Sequence, residues 1–197
     1  MSDIAAFVLA GGRSTRMGTD KAFLGLGGVT LLGRALNLAR SVVPRTCIIG
    51  DKEKFQNFGE VIEDVHKECG PLGGIHAALV NTTTDFNFIL GVDLPFVKKA
   101  FVEYLFYRAH KTSAIVTVPR AESRLQPLCA VYRKEFADIA QRSLHSGHNK
   151  IDPLFAEVQT EIVSEEELAL QRFPASMFRN LNTPADWEQA KLDGKFG

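Results

Sequence analysis

The chain has 197 residues, 45% of them hydrophobic and 23% charged, and its 23 basic and 23 acidic residues give a formal net charge of zero at pH 7. This length predicts one domain whose core needs no stabilising disulfide. Proteins that bind nucleic acid or anionic membranes normally carry a basic excess, so the balanced charge argues against both partners.

The cysteines and the first residues indicate a cellular compartment. Cys47, Cys69 and Cys129 lie far apart and no CxxC motif occurs, so we expect neither a disulfide framework nor a structural zinc site. The apolar run near the N-terminus has no basic region before it and is too short for a signal sequence or a membrane span. We therefore expect a cytoplasmic protein.

Strand-like and helix-like segments alternate along the chain. Residues 4–10 form a nearly continuous apolar run, typical of a parallel strand covered on both faces, and residues 30–43 repeat apolar side chains at helical spacing. This alternation predicts an α/β fold in three layers, with a mostly parallel twisted sheet between helices. The pattern also predicts strands at 46–50, 60–64, 86–93, 113–119, 127–132, 160–164 and 177–181, and helices at 73–81, 100–111, 134–144 and 182–192.

The last predicted helix has a clear start signal. Thr183 stands at the N-cap position, Pro184 in the first turn and Asp186 three residues after the threonine. This spacing is typical of a capping box, in which the two side chains bond to each other's backbone N–H groups. We expect the helix to begin there.

The first strand leads into "LAGGRSTRMGTDKAFL", residues 9–24, which combines glycines with positive charge. The segment matches neither a Walker A loop nor the G-x-G-x-x-G dinucleotide loop. Gly11 and Gly12 allow close backbone approach and can direct N–H groups at an anion. The cations are Arg13, Arg16 and Lys21. We interpret the segment as a triphosphate loop; a solvated loop with scattered cations is the alternative.

An aspartate follows a second apolar strand. Asp93 comes at the end of the run at 86–93, and strand ends of a parallel sheet share one edge, so it should face the glycine loop. Mg²⁺ binds one or two carboxylates together with substrate phosphate oxygens. Asp93 is therefore a candidate magnesium ligand, with a helix cap or an Asx turn before Pro95 as the alternative.

These motifs resemble those of a known family. The 9–24 segment resembles the signature of the molybdenum cofactor guanylyltransferases, LAGG-x-S-x-RMG-x-DKA. Later blocks of that family resemble "VIED", "GPLGGI", "GVDLPFV", "QPLCAVY" and "NLNTPADW" here, in the same order. The resemblance covers most of the chain. It implies a Rossmann-like fold of the nucleotide-diphospho-sugar transferase type and a single nucleotidyltransferase domain over residues 1–197.

The resemblance implies a nucleotide site. It assigns Asp93 to Mg²⁺, and Lys21 with Arg16 would offset charge on the leaving pyrophosphate. Gly50 stands where the family often has an asparagine, so it could supply that contact only through its backbone. The glycines of 70–74, Gly73 among them, either approach the base or ribose or simply begin a helix. The predicted nucleotide-site residues are Leu9, Ala10, Gly11, Gly12, Arg13, Lys21, Gly50, Asp64, Gly73 and Asp93.

The resemblance also implies a pterin side. Its matching segments contain Arg124, Gln126, Asn180 and Asn182. Asparagines offer the paired donors and acceptors that a pterin ring needs, although Asn182 before Thr183 could equally be a local turn residue. Two histidine-containing pairs, His66 with Cys69 and His145 with His148, lack further ligands and are not expected to bind a metal.

The implied reaction joins GTP to molybdenum-molybdopterin and releases pyrophosphate. The acceptor's terminal phosphate attacks the α-phosphorus, so no side-chain nucleophile is needed. Cofactor-delivery or molybdoenzyme-maturation proteins are further partners that the family suggests. The alternatives are a related nucleotidyltransferase that uses CTP or another phosphorylated acceptor, and a non-catalytic GTP-binding module. A dinucleotide-dependent oxidoreductase is disfavoured because its loop is missing.

Overall fold

The computed structural model describes residues 3–11, 20–64, 66 and 69–192. The strands are β1 (Ile4–Leu9), β2 (Gly25–Leu26), β3 (Val29–Thr30), β4 (Arg45–Ile49), β5 (Glu60–Ile62), β6 (Phe86–Gly91), β7 (Val116–Ala121), β8 (Arg124–Leu125), β9 (Cys129–Arg133) and β10 (Thr160–Val163). The α-helices are α1 (Leu31–Val42), α2 (Lys52–Phe55), α3 (Pro71–Val80), α4 (Lys99–His110), α5 (Phe136–His145), α6 (Glu165–Leu170) and α7 (Pro184–Leu192). Short 3₁₀ helices occupy Lys21–Phe23, Asp152–Ala156 and Ala175–Phe178.

The main sheet has the strand order β10-β7-β9-β6-β1-β4-β5. The pairs β10–β7, β6–β1, β1–β4 and β4–β5 are parallel, whereas β9 runs antiparallel to both β6 and β7. The mostly parallel sheet predicted from the sequence is therefore confirmed. Strand β9 and the short β8, which pairs antiparallel with β7, run the other way, and an apolar run carries no information on that direction.

Helices cover both faces of the sheet. Buried side chains of α1, α4 and α7 share one hydrophobic cluster, and those of α3 and α5 share the other, so the sheet lies between two helical layers. The central strand β6 is buried along its whole length, as expected of a strand between two layers. The three-layer architecture follows. No helix in the described part of the chain is long and apolar enough to cross a membrane.

One predicted strand is wrong. Residues 177–181 were expected to form a strand, but Ala175–Phe178 is a 3₁₀ helix. Met177 and Phe178 are both buried in this short helix. Phe178 packs edge-to-face on Phe101, with 5.2 Å between ring centroids. Tertiary packing against α4 therefore overrides the local apolar pattern.

The capping box of α7 is confirmed. The Asp186 backbone N–H donates to the Thr183 hydroxyl oxygen at 3.1 Å, and the Thr183 backbone N–H donates to an Asp186 carboxylate oxygen at 2.7 Å. The predicted helix start at residues 183–186 therefore has the expected reciprocal bonds.

The strand order places a crevice at the carboxyl ends of β1 and β6. The chain runs outward from β1 to β4 and β5, and then returns to β6 on the other side of β1. In open parallel sheets, ligands bind where the connections leave in opposite directions. The loops after β1 and β6 contain the predicted glycine and aspartate motifs, so the fold brings them to one place.

Candidate active site

The ends of β1, β4 and β6 are joined by backbone hydrogen bonds. The N–H groups of Ala10 and Gly11 donate to the Ile49 carbonyl at 3.0 and 3.2 Å, and the Val92 N–H donates to the Leu9 carbonyl at 3.1 Å. These bonds hold the segments that lead to the predicted nucleotide-site residues within one crevice.

Gly11 contributes space rather than a free amide. Its N–H is used by the Ile49 carbonyl, so it does not point at a ligand as the loop pattern predicts. A Cβ added at Gly11 would lie 3.7 Å from the Gly50 Cα, an ordinary contact. The packing of the protein therefore does not require glycine here. Gly12, Arg13 and Arg16 lie outside the described residues.

Lys21 and Asp93 meet across the crevice. The Lys21 Nζ lies 3.4 Å from the Asp93 Oδ2, and the two side chains are only 16% and 22% exposed. Lys21 begins the 3₁₀ helix that Asp20 caps through the Ala22 N–H, at 3.1 Å. The Lys21 ammonium also donates to the side-chain oxygen of Asn182. A cation and a carboxylate that the sequence predicted separately thus form one partly buried group.

The Asp93 carboxylate lies against its own strand end. A Cβ added at Gly91 would lie 2.7 Å from the Asp93 Oδ1 and 3.3 Å from the Leu128 Cβ, so a side chain there would displace the carboxylate. The Asp93 backbone carbonyl accepts the Leu181 N–H at 3.1 Å. The position of Asp93 is therefore set by β6 and by the chain before α7.

Gly50 is required by packing. A Cβ added there would lie 2.8 Å from the Phe55 ring, and Phe55 is fully buried in α2. The Gly50 N–H donates to the Ile62 carbonyl at 3.1 Å. Asp51 begins α2 as its cap, accepting the Lys54 N–H at 3.2 Å. The absence of a side chain at Gly50 thus has a structural cause of its own.

Asp64 and Gly73 are in contact. A Cβ added at Gly73, in the first turn of α3, would lie 2.5 Å from the Asp64 Oδ2. The other oxygen of Asp64 accepts the His66 N–H at 2.8 Å. Partial burial raises the pKa of Asp64, and the His66 hydrogen bond opposes that rise. Gly73 therefore provides the space in which the Asp64 carboxylate lies.

Three histidines cluster behind Asp64. The His66 ring centroid lies 4.9 Å from that of His76 and 6.0 Å from that of His145. His76 is 5% exposed, and neither of its buried ring nitrogens has a hydrogen-bond partner among the described residues. Burial lowers the pKa of His76, and nearby His66 lowers it further. The three histidines could not be grouped from the sequence, because they come from the segment before α3, from α3 and from α5, and meet only in the folded chain.

The histidine cluster does not have the geometry of a metal site. Within the described ranges, no group of three or more histidine, cysteine, aspartate or glutamate side chains could hold a metal ion.

A cavity of about 880 Å³ opens beside Asp93. Arg124, Gln126 and Asn180, predicted for the pterin side, line it together with Asp93. Asn182 is not among the lining residues, because its side chain contacts Lys21 instead. The structure thus joins most of the predicted acceptor residues to the metal-ligand candidate in one space.

The cavity contains residues that sequence reasoning missed. Arg120, Asp152, Ser176 and Arg179 also line it. The Arg179 guanidinium lies over the Phe96 ring, 4.8 Å from its centroid. Planar guanidinium groups bind phosphate and stack on flat rings. Arg179 directly precedes Asn180, which was the one signal for it. Arg120 lies near the end of β7, in a segment whose break in the strand and helix pattern was its only signal.

The crevice and the cavity together define a class of protein. Gly11, a lysine and a strand-end carboxylate lie at the switch point of a mostly parallel sheet, and a cavity of about 880 Å³ shares the carboxylate. This arrangement is that of an α/β nucleotidyltransferase.

Comparison with known proteins gives the family. The family model described as the MobA-like NTP transferase domain matches residues 6–161. A Clostridium perfringens protein named "Probable molybdenum cofactor guanylyltransferase" is 31% identical over 188 residues, covering 93% of this chain and 94% of its own. The molybdenum cofactor guanylyltransferase of Desulfosudis oleivorans is 30% identical over 200 residues, covering 100% and 98%.

Comparison with solved structures points to the same family. The molybdopterin-guanine dinucleotide biosynthesis protein A of Archaeoglobus fulgidus superposes with a TM-score of 0.84 at 27% identity, covering 96% of this chain and 97% of its own. The chain therefore belongs to the MobA-like NTP transferase family and has its nucleotide-diphospho-sugar transferase fold.

Gly73→Ala tests the contact between Gly73 and Asp64. The added methyl group would lie 2.5 Å from the Asp64 Oδ2 and must displace the carboxylate. We expect GTP affinity, measured by titration calorimetry, to fall about 10-fold, the scale for disturbing a group that orients a binding residue. Alanine favours helix more than glycine does, so a weaker α3 would not explain the loss. Gly25→Ala, where nothing lies within 4 Å, is the matched control. Unchanged affinity in Gly73→Ala would place Asp64 outside the nucleotide site.

His76→Leu tests the buried imidazole. Because the folded-state pKa of His76 is lowered, its contribution to stability is present above the unfolded value of about 6.5 and is lost as the pH falls. We expect the wild type to lose more Tm than His76→Leu between pH 7.5 and pH 5.5, as followed by circular dichroism. Exposed His148→Gln should behave like the wild type. Equal losses in all three proteins would show that His76 does not contribute to acid sensitivity.

Proposed function

We propose that this protein transfers GMP from GTP to the terminal phosphate of molybdenum-molybdopterin, forming the guanine dinucleotide cofactor and pyrophosphate. The proposal rests on the position of Asp93, which contacts Lys21 in the crevice and also lines the cavity. A group shared by both spaces is where a nucleotide phosphate and an acceptor phosphate would have to meet. The family membership and the relatives' names support the choice of substrates.

The proposed chemistry is an in-line displacement at the α-phosphorus. An acceptor phosphate oxygen forms a bond to that phosphorus, and the bond from the phosphorus to the oxygen bridging to the β-phosphate breaks. The electron pair leaves with pyrophosphate. A phosphate monoester has its second pKa near about 6, so its oxygen is already largely ionised at neutral pH. The protein therefore has to position the two substrates and neutralise their charge rather than supply a nucleophile.

Asp93 fits a magnesium ligand. Mg²⁺ in nucleotide sites takes one or two carboxylates and completes its shell with phosphate oxygens and water. Asp93 offers one such carboxylate, at the end of a strand and beside a lysine proposed to bind phosphate. Because Gly91 has no side chain, the Asp93 Oδ1 has room beside that strand. When bound, Mg²⁺ would supply charge neutralisation on the triphosphate.

Lys21 is proposed to bind the leaving pyrophosphate oxygens. Its ammonium is held between Asp93 and Asn182 at the end of β6, on the nucleotide side of the cavity. Arg16, in the same loop by sequence, is proposed to assist. On the acceptor side, Arg124 and Arg179 offer guanidinium groups, and Gln126 offers amide donors and acceptors for a heterocycle edge.

The substrate assignment is tested by following pyrophosphate release. The purified protein is incubated with Mg²⁺ and each nucleoside triphosphate, with and without molybdenum-loaded molybdopterin. We expect release with GTP only, and only when the pterin is present. Release with CTP would retain the chemistry and overturn the choice of base. Binding of GTP without release would support a non-catalytic module.

Asp93→Ala and Lys21→Ala test the charged pair. We expect Asp93→Ala to lower kcat at least about 10²-fold, the scale for removing one preorganised charge contact. Lys21→Ala should lower kcat and also raise the KM for GTP, because the ammonium binds phosphate in both states. Lys99→Ala is a matched control, since Lys99 is half exposed and pairs with Glu103 on α4. A folded Asp93→Ala variant with near-normal turnover at all magnesium concentrations would remove the metal assignment.

A further inference from the structure

The chain just before α7 contacts both members of the charged pair. The Leu181 N–H donates to the Asp93 carbonyl at 3.1 Å, and the Asn182 side-chain oxygen accepts from the Lys21 ammonium. Lys21 and Asn182 are 161 positions apart in the sequence. The two contacts come from adjacent residues, so the position of this segment determines the surroundings of Lys21 and Asp93 together.

The contact made by Asn182 differs from the one that the resemblance implies. Asn180 lines the acceptor cavity, but Asn182 lies outside its wall and reaches Lys21. A neutral amide oxygen suits that contact, because it orients the ammonium group without cancelling its charge. A lysine held in this way remains able to attract a triphosphate.

Asp186 fixes the backbone that carries Asn182. One carboxylate oxygen of Asp186 accepts the N–H groups of both Asn182 and Thr183, at 3.0 and 2.7 Å. The Thr183 hydroxyl oxygen accepts the Asp186 N–H at 3.1 Å in return. The pKa of Asp186 is lowered, chiefly by the Asn182 N–H and in small part by the charge of Lys21. Asp186 therefore fixes the backbone of residue 182 from its position in α7, although it does not itself contact Lys21.

We propose that Asp186 is a positioning residue for nucleotide transfer: it fixes Asn182, whose amide oxygen holds the Lys21 ammonium beside Asp93. The capping box of α7 is then more than a helix start, because it orients the lysine that binds the triphosphate. The identity of the acceptor rests on the proposed function, but the positioning of Lys21 does not. Nucleotide binding can therefore test it without any acceptor.

The experiment measures the dissociation constant of Mg·GTP by calorimetry without acceptor, and then kcat and both KM values with it. We expect Asp186→Ala and Asn182→Ala each to weaken GTP binding about 10-fold and to lower kcat, with the acceptor KM within about two-fold of the wild type. Asp186→Asn keeps an oxygen for the two N–H groups and should recover most of the loss. Asn180→Ala should raise the acceptor KM and leave GTP binding unchanged.

Ser164→Ala is the matched control for a weakened helix start. The Ser164 hydroxyl oxygen caps α6 by accepting the Glu167 N–H at 3.2 Å. This variant should lower Tm as Asp186→Ala does, because both lose a cap, but its GTP affinity should match the wild type.

Two outcomes overturn the positioning role. One is GTP binding by folded Asp186→Ala within about two-fold of the wild type, and the other is an Asn182→Ala variant that changes only the acceptor KM. Failure of the proposed function looks different. In that case the wild type binds GTP but releases no pyrophosphate with molybdenum-molybdopterin, and the calorimetric comparison of variants still decides the role of Asp186.

Discussion

The contact between Lys21 and Asp93 is the interaction on which the candidate site depends. The two residues are 72 positions apart, and their side chains are less than a quarter exposed. Charges removed from water are costly unless they are paired, so each group would be expensive to hold there alone. As a pair, they place a cation and a carboxylate at the same point of the sheet edge.

Missing side chains make room for neighbouring groups at this edge of the sheet. At Gly73 and Gly91 an added Cβ would collide with the carboxylates of Asp64 and Asp93, and at Gly50 it would collide with the Phe55 ring. Gly11 differs, because a Cβ added there would make only ordinary contacts, 3.7 Å from the Gly50 Cα and 3.8 Å from the Ile49 carbonyl oxygen. Three glycines are thus explained by the protein's own packing, whereas packing does not require the fourth.

The sequence predicted where Gly11 and Asp93 lie because both follow strand ends. Apolar runs located β1, β4 and β6, and parallel strands bring their carboxyl ends to one edge, so Gly11 and Asp93 could be placed together before any coordinates. The direction of β9 and the histidine cluster could not be predicted, because periodicity carries no information on strand direction or on which helices meet. The contact of Asn182 with Lys21 was missed for the same reason.

The cavity beside Asp93 is built differently, and its predicted acceptor residues were assigned through the resemblance. Its wall includes the turn between β7 and β8, where Glu122 and Ser123 adopt positive φ of 50° and 61°, an unfavourable conformation for residues with side chains. The Ser123 N–H donates to a Glu165 carboxylate oxygen at 2.7 Å, which ties the turn to α6. Helix α6 is tied in turn to α4 by the ion pair of Arg108 with Glu167. The cavity wall depends on side chains from three distant elements and so leaves no local sequence pattern. A loop after a strand end has such a pattern.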